Sequence, residues 1–212
     1  MYSSMMMTNG AAIRAGSVAE ATWDSGEWAF VDIGFSSSKK SCGLLLPDKD
    51  RRADCELTFA DLQAAVLDFI GCGQGPINLL IEAPLSVAFR NGNPVGRSFE
   101  SKKGQTPRYW YSGVGPTVLT ATTYLLRSIH DSVPHREIRL FEGFASFKPR
   151  GGKSDHYQDV CDQRAVVRGN RSKGRIVAPD EIQQEADSEV QSAFKVAGMD
   201  FRVPPVVLLG KE

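Results

Sequence analysis

Acidic residues stand within or directly after apolar, strand-like segments of this chain. Asp32 interrupts the run WAFVDIG, Glu82 closes NLLIE, and Glu142 closes IRLFE. An ionised carboxylate in a core strand is unfavourable unless it is paired or bound to a cation. The carboxyl ends of parallel strands form the ligand crevice of open α/β sheets, and Glu82 and Glu142 are predicted to occupy such ends. These carboxylates are therefore candidates for a shared site.

A second group of candidate residues lies in the segment DHYQD. His156 precedes Asp159 by three residues, which places both on one face of a predicted helix. The imidazole could serve as a ligand, a proton shuttle or a phosphate contact. Asp155 is expected to cap the start of this helix, and it is also a candidate metal ligand.

The chemistry that these residue types support is binding of a hard divalent cation. Carboxylate oxygens without cysteine favour Mg²⁺ or Mn²⁺. Two such ions roughly 4 Å apart can activate a water and stabilise the leaving oxygen when a phosphodiester is cleaved. That arrangement requires several carboxylates to converge from different elements of the fold.

Two basic loops, at 84–112 and 147–154, supply candidate contacts to nucleic acid. Basic groups bind phosphates, and aromatic faces stack on unpaired bases. In the alternative interpretation, the aromatic residues anchor the first loop on the core, and the second loop is simply flexible. The candidate residues are Arg97, Lys102, Lys103, Arg108, Tyr109, Trp110, Lys148, Arg150 and Lys153.

The elements that must position these residues follow from apolar periodicity and from capping signals. Strands are predicted at 28–35, 41–47, 55–59, 77–84, 136–144 and 203–209, and helices at 58–73, 116–130, 155–169 and 179–198. Three antiparallel strands followed by alternating helices and parallel strands predict an α/β fold with a mixed sheet flanked by helices. We expect a loose lead-in at 1–26, a domain at 27–170, and a helix–strand extension at 171–212 packed on that domain.

Composition sets limits on the class of protein. The chain has 212 residues, which suits one domain, and its 25 basic and 25 acidic residues give no overall positive charge for nucleic acid. Four cysteines without a CxxC pair do not predict a zinc site. The sequence has neither a signal-peptide pattern nor an apolar run of membrane-spanning length, so we expect a cytoplasmic protein with reduced thiols and no membrane association.

The order of elements, together with FVDIG, LLIEAP, LFEGF and HYQD, resembles the RNase H-like superfamily. HYQD is similar to the H-x-x-D signature of RuvC-type nucleases, whereas IEAPLS and GRSFE resemble the family of predicted RNase H-like nucleases. The resemblance covers about residues 28–169. It implies a nuclease dependent on Mg²⁺ or Mn²⁺ that hydrolyses DNA or RNA. The metal-binding carboxylates would be Asp32, Glu82 and Asp159, with Glu142 or Asp155 completing the set.

The chain departs from the family pattern at two places. GFASFKPRGG follows Glu142, and the last helix carries Cys161 and Asp162 where small apolar residues would be expected. The second departure leaves open which aspartate of that helix faces the metals. Asp162 is expected to face solvent.

Three of the carboxylates have alternative, purely structural interpretations. Asp32 could cap the serine-rich turn, and Glu82 could mark the exit of its strand. Glu142 could pair with Arg139 or Arg136 on an exposed edge.

Two alternative functions stay open at this point. One is a catalytically inactive RNase H-like module that binds nucleic acid or protein. The other is an actin-like or sugar-kinase-type phosphate-binding protein, because DIGFSSSKK resembles a first phosphate loop. For a nuclease, branched DNA, single strands and RNA–DNA hybrids are all candidate substrates, and a homodimer would suit the cutting of two strands.

Overall fold

The fold was analysed in a computed structural model, which describes residues 11–34, 41–47, 57–100, 114–133, 135–145, 155–183, 187–196 and 202–210. The strands are β1 (Ala12–Ala15), β2 (Glu27–Asp32), β3 (Gly43–Leu45), β4 (Ile77–Glu82), β5 (Ser86–Arg90), β6 (Asn93–Val95), β7 (Glu137–Ala145), β8 (Gly174–Val177), β9 (Glu189–Ser192) and β10 (Val206–Leu209). The helices are α1 (Phe59–Cys72), α2 (Gly115–Ser132), α3 (His156–Val167) and α4 (Ala193–Val196).

The main sheet contains both parallel and antiparallel pairs, in the order β3-β2-β4-β7-β10-β8. Strands β2, β4, β7 and β10 run parallel to their neighbours in that series, whereas β3 and β8 are antiparallel to β2 and β10. Strand β1 pairs in parallel with the first half of β7. A small antiparallel sheet has the order β6-β5-β9. The predicted α/β architecture with a mixed sheet flanked by helices is therefore confirmed.

Successive residues of the central strands alternate between two apolar cores. On one face, Leu79 and Ile81 of β4 belong to the core that includes buried residues of α1 and α2. On the other face, Leu80 packs in a second core together with Val160 and Val167 of α3. Because side chains alternate along a strand, Asp32 and Glu82 fall on the α3 face of the sheet. Helix α3 is consequently the element that can complete a site around them.

The two central helices begin and end where local signals predict. Thr58 accepts a hydrogen bond from the backbone N–H of Asp61 and caps α1, which ends before Gly73. Proline lies in the first turn of α2, where its missing N–H leaves no intrahelical bond unmade. These two helices cover the face of the sheet opposite to α3.

The region before β2 differs from the expected loose lead-in. Residues 12–15 form β1, and Arg14 makes ion pairs with Glu20 at 2.5 Å and with Glu137 at 2.6 Å. The side chains of β1 are at most half-buried, so the strand is held mainly by its backbone pairing with β7. For the same reason, its sequence shows only a weak apolar pattern. Residues 1–10 lie outside the described part of the chain.

The predicted long loop at 84–112 contains a β-hairpin over its first half. Strands β5 and β6 are joined by Asn91 and Gly92, which have φ values of 50° and 75°. An Asn-Gly pair is favoured at such turns because both positions require positive φ. The segment RNGN therefore carries a hairpin signal within a region that is also rich in basic residues.

The C-terminal region contains strands where a long helix was expected. The predicted helix at 179–198 is wrong: the described part has a short 3₁₀ turn at 179–181, then β9 and α4. Strand β9 pairs with β5, which lies about a hundred residues earlier in the chain. Local periodicity cannot predict a strand that depends on such a distant partner. The predicted terminal strand is present as β10, between β7 and β8. The predicted third strand at 55–59 appears in the described residues as a single bridge between Leu57 and Cys42.

Candidate metal centre

Asp32 and Glu82 lie side by side at the carboxyl ends of two neighbouring parallel strands. They are paired in the β2–β4 register and point to the same face of the sheet. The Asp32 residue is only 4% exposed. The fold therefore buries a carboxylate at the position where an α/β sheet binds its ligands.

The first turn of α3 brings His156 and Asp159 to Asp32. One ligand atom from each of these three residues lies within 4.8 Å of those from the other two. His156 Nδ1 and Asp32 Oδ2 are 2.7 Å apart. An ionised carboxylate only accepts hydrogen bonds, so Nδ1 carries the proton in this contact. The predicted spacing of His156 and Asp159 thus places both side chains at one site.

Two glycines allow α3 to come this close to the sheet. A Cβ at Gly43 of β3 would lie 2.4 Å from the carbonyl oxygen of His156, and one at Gly34 would lie 2.8 Å from His156 Nε2. The first turn of α3 therefore packs directly against the backbone of Gly34 and Gly43. Gly34 and Gly43 are accordingly part of the site. Their sequence context suggests turns and does not indicate this role.

We expect Gly43→Ala to lower the free energy of unfolding by about 1–3 kcal/mol, because the added methyl group forces α3 away from β3. Urea unfolding at neutral pH would measure the change. Gly71→Ala is the control, since a Cβ there has nothing within 4 Å and lies in a helix. That variant should be as stable as the parent protein or more so. A Gly43→Ala protein of unchanged stability would contradict the close packing of α3.

Glu82 lies beside this cluster but is held by other groups. Among the described residues, the group within 4.8 Å contains Asp32, His156 and Asp159 and does not include Glu82. The Nε2 of Gln163 donates to Glu82 Oε2 at 3.1 Å, and the backbone N–H of Ala145 donates to Oε1 at 3.4 Å. The Glu82 carboxylate thus connects β4 to β7 and to α3 by hydrogen bonds.

Glu142 does not join the cluster, which corrects its expected catalytic role. It is paired with Ile81 in the β4–β7 register and therefore faces the side of α1 and α2. Its side chain is fully buried and forms an ion pair with Arg97, and it accepts hydrogen bonds from the N–H and the hydroxyl of Ser86 at 2.9 Å. Complete burial raises the pKa of the Glu142 carboxyl, although Arg97 opposes the shift.

Arg97 is likewise misplaced among the predicted nucleic-acid contacts. It is 1% exposed, and its guanidinium also bonds Glu100 at 2.8 Å and the Ser86 hydroxyl at 2.8 Å. A side chain enclosed in this way is not available to a phosphate at the surface. Ser86 and Glu142 come from other segments, whereas Glu100 lies three residues away, and the spacing of that pair does not reveal its burial.

Asp155 caps α3, as expected from its position. Its side chain accepts a hydrogen bond from the backbone N–H of Gln158 at 3.0 Å. Asp162, expected to face solvent, is partly buried and contacts Lys173 at 2.9 Å. Neither residue belongs to the group formed by Asp32, His156 and Asp159.

Two substitutions at Asp155 separate capping from metal binding. Asp155→Ala should lower the free energy of unfolding by about 1 kcal/mol, because the cap is lost. Asp155→Ser keeps a capping oxygen and removes the carboxylate, so stability and Mn²⁺ affinity should both stay close to those of the parent protein. Denaturant unfolding and calorimetric Mn²⁺ titration would provide the two measurements. A stable Asp155→Ser variant that loses Mn²⁺ affinity would assign the carboxylate to the metal site instead.

Most of the predicted nucleic-acid contacts lie outside the described residues. This set consists of Lys102, Lys103, Arg108, Tyr109, Trp110, Lys148, Arg150 and Lys153. Their interactions with nucleic acid stay predictions.

The cysteines in the described residues are free thiols. They are Cys42, Cys72 and Cys161. Burial raises the pKa of the Cys42 thiol, and the nearby Asp32 carboxylate raises it further, whereas a hydrogen bond to the Gly34 carbonyl opposes the shift. The Cys42 side chain belongs to the core on the α1 and α2 face of the sheet, whereas the cluster lies on the α3 face.

Within the described part of the chain, every helix is too short or too polar to cross a lipid bilayer. Comparison of the sequence and structure with protein-family models, with curated proteins and with solved structures found no match. The function of the site therefore has to be argued from its own geometry.

Proposed function

We propose that this protein is a nuclease that depends on Mg²⁺ or Mn²⁺ and uses an RNase H-like fold to hydrolyse phosphodiester bonds of DNA or RNA. The observation that carries the proposal is the convergence of Asp32, His156 and Asp159 within 4.8 Å. They meet at the carboxyl ends of parallel strands, and Glu82 is in register with Asp32. Side chains of β2 and α3 therefore converge on one point, beside Glu82 of β4.

The sheet supports the fold part of this proposal. An antiparallel β2–β3 pair lies next to the parallel series β2, β4 and β7, and helices follow β4 and β7 in the chain. This arrangement agrees with the order of elements on which the resemblance to the RNase H-like superfamily rests. Asp32 lies on a central strand, and such an element holds a ligand more precisely than a loop does.

The donor set fits a divalent cation of the proposed kind. Two carboxylates are suited to Mg²⁺ and Mn²⁺, and the imidazole of His156 shifts the preference towards Mn²⁺. When bound, such ions supply Lewis-acid stabilisation to an attacking water and to the leaving oxygen of a phosphodiester. Asp32 and Asp159 would hold the ion, and Glu82 would extend the site towards β7.

His156 is best placed to orient the Asp32 carboxylate. Its Nδ1 contacts Asp32 Oδ2, and its Nε2 lies against the backbone at Gly34. A ring that contacts the carboxylate through Nδ1 and packs against Gly34 can hold that carboxylate in one direction. A cation that uses both Nδ1 and Oδ2 must displace the proton between them, so binding is expected to release protons and to weaken in acid.

A cleavage assay with defined substrates tests the proposal. The full chain would be incubated with branched DNA, single-stranded DNA, single-stranded RNA or an RNA–DNA hybrid, with Mn²⁺, Mg²⁺ or excess EDTA. We expect cleavage with either metal, faster with Mn²⁺, and no cleavage with EDTA. Protein that cleaves none of these substrates with either metal would overturn the proposed activity.

One feature favours a catalytically inactive module as the second candidate. Glu82 stands outside the compact group, so the site has three closely spaced ligands and one displaced carboxylate. Nucleic-acid binding without hydrolysis, measured by fluorescence anisotropy, would support this alternative. The phosphate-binding alternative depends on residues 35–40, which lie outside the described residues, and ATP turnover would support it.

A further inference from the structure

Gln163 is a fully buried amide on the inner side of α3. Its Nε2 donates to Glu82 Oε2 at 3.1 Å. Its Oε1 is buried and has no hydrogen-bond partner within the described part of the chain. This side chain was not a candidate in the sequence, since a glutamine in a helix has no distinguishing signal.

The backbone of β7 is shaped to accept this amide. A Cβ at Gly143 would lie 2.7 Å from Gln163 Nε2 and 2.7 Å from the Leu80 side chain. Any side chain at position 143 would thus displace the amide from Glu82. Together with the Ala145 N–H, Gln163 supplies a donor to each oxygen of the Glu82 carboxylate.

Packing alone does not explain a glutamine at this position. A buried amide with an unpaired acceptor is unfavourable, and an apolar side chain of similar size would avoid that loss. The donor end of the amide instead acts on a candidate metal ligand. Metal-binding carboxylates are usually held by hydrogen bonds from a surrounding shell of residues, and each oxygen retains a lone pair for the cation.

We propose that Gln163 is a positioning residue of the metal centre, and that its amide holds the Glu82 carboxylate beside Asp32 in the orientation that receives a divalent ion. This inference rests on the proposed function. It assigns to Glu82 a place in the site although Glu82 lies outside the compact group. Gly143 is then required because it lets the amide reach Glu82.

Mn²⁺ affinity of a Gln163→Met variant tests the inference without an activity assay. Methionine keeps the length of the side chain and removes the donor. We expect the calorimetric Kd for Mn²⁺ to rise about 10-fold to 100-fold. Gln158→Met is the matched control, because Gln158 lies on the same helix and donates to the exposed side of Asp162. The control should bind Mn²⁺ as the parent protein does.

A double-mutant cycle with Glu82→Gln distinguishes positioning from a general structural role. If Gln163 acts through Glu82, Gln163→Met should change the Kd by less than about 2-fold in the Glu82→Gln background. An equal loss in both backgrounds would overturn the inference, as would an unchanged Kd in the single variant. Parent protein that neither binds Mn²⁺ nor cleaves nucleic acid would instead remove the proposed function on which the inference rests.

A measurement on the unmodified protein covers the case in which the variant fails to fold. The side-chain amide resonance of Gln163 should shift on titration with Mg²⁺, with the same apparent Kd as calorimetry gives. Mg²⁺ binding that leaves this resonance in place would also overturn the inference.

Discussion

Asp32→Asn is expected to abolish metal-dependent cleavage while the protein stays folded. The substitution keeps the shape of the side chain and removes the charge of a candidate ligand that is buried and lies on a central strand. Lewis-acid stabilisation contributes several kcal/mol to such reactions, and each 1.36 kcal/mol is a factor of ten in rate. We therefore expect cleavage to slow by at least about 100-fold.

The measurement is the single-turnover rate on whichever substrate the parent protein cuts fastest, with Mn²⁺ in excess. Asp159→Asn should cause a loss of the same order, because its carboxylate lies in the same group. The matched control is Asp180→Asn, an exposed aspartate of a 3₁₀ turn, which should retain the parent rate. An Asp32→Asn protein with the parent rate would contradict the proposed centre.

Arg97→Met is expected to have the largest effect on stability, a loss of about 3–5 kcal/mol in the free energy of unfolding. Arg97 is the counter-ion of two buried carboxylates, Glu100 and Glu142. Its removal takes the guanidinium away from both of these buried carboxylates, which is strongly destabilising for a buried ion pair. Methionine keeps much of the volume, so the loss reflects the missing charge and hydrogen bonds more than a cavity.

Guanidinium or urea unfolding would measure this loss. Arg127→Met is the control, because Arg127 is exposed and its ion pair with Asp131 lies on the surface of α2. Surface pairs of that kind often contribute nothing measurable. An Arg97→Met protein as stable as the parent would show that the buried network does not hold the 86–100 segment against β7.

Glu142→Gln provides the complementary test of the same network. The pKa of Glu142 is raised in the folded state, so its protonated form favours folding, and its contribution falls as the pH rises above the ordinary carboxyl range. Glutamine does not titrate, and its single acceptor oxygen can serve Arg97 or Ser86 but cannot replace both carboxylate oxygens. The stability of Glu142→Gln relative to the parent should therefore improve between pH 5 and pH 8. A difference independent of pH would contradict the raised pKa.

Local patterns were sufficient where one element carries its own signal. The apolar run NLLIE marks β4, the Thr58–Asp61 cap marks the start of α1, and the spacing in HYQD places His156 and Asp159 on one face of α3. These features depend on neighbours within a few residues, because hydrogen bonding and periodicity of a helix or strand are local. The α/β architecture and the main site aspartates were accessible for this reason.

Local patterns failed where the partner is distant in the chain. Strand β9 exists because β5 accepts it, and Arg97 is buried because Glu142 lies 45 positions away on β7. The local pattern predicts a helix at the position of β9 and a basic surface loop around Arg97. Burying a charge or leaving a strand edge unpaired is unfavourable in free energy. The counter-ion or partner strand that offsets this cost comes close only in the folded chain.

The sequence by itself determined the order of the main elements and the types of ligand in the candidate centre. The tertiary structure decided which carboxylates share a face. Glu82 ends β4, whereas β7 continues past Glu142 to Ala145, so the expected strand end at Glu142 is wrong. The faces of a strand alternate with each residue, and the register pairs Glu82 with Asp32 and Glu142 with Ile81. A register shift of one residue would exchange their roles, and register is set by pairing between strands that are far apart in the chain.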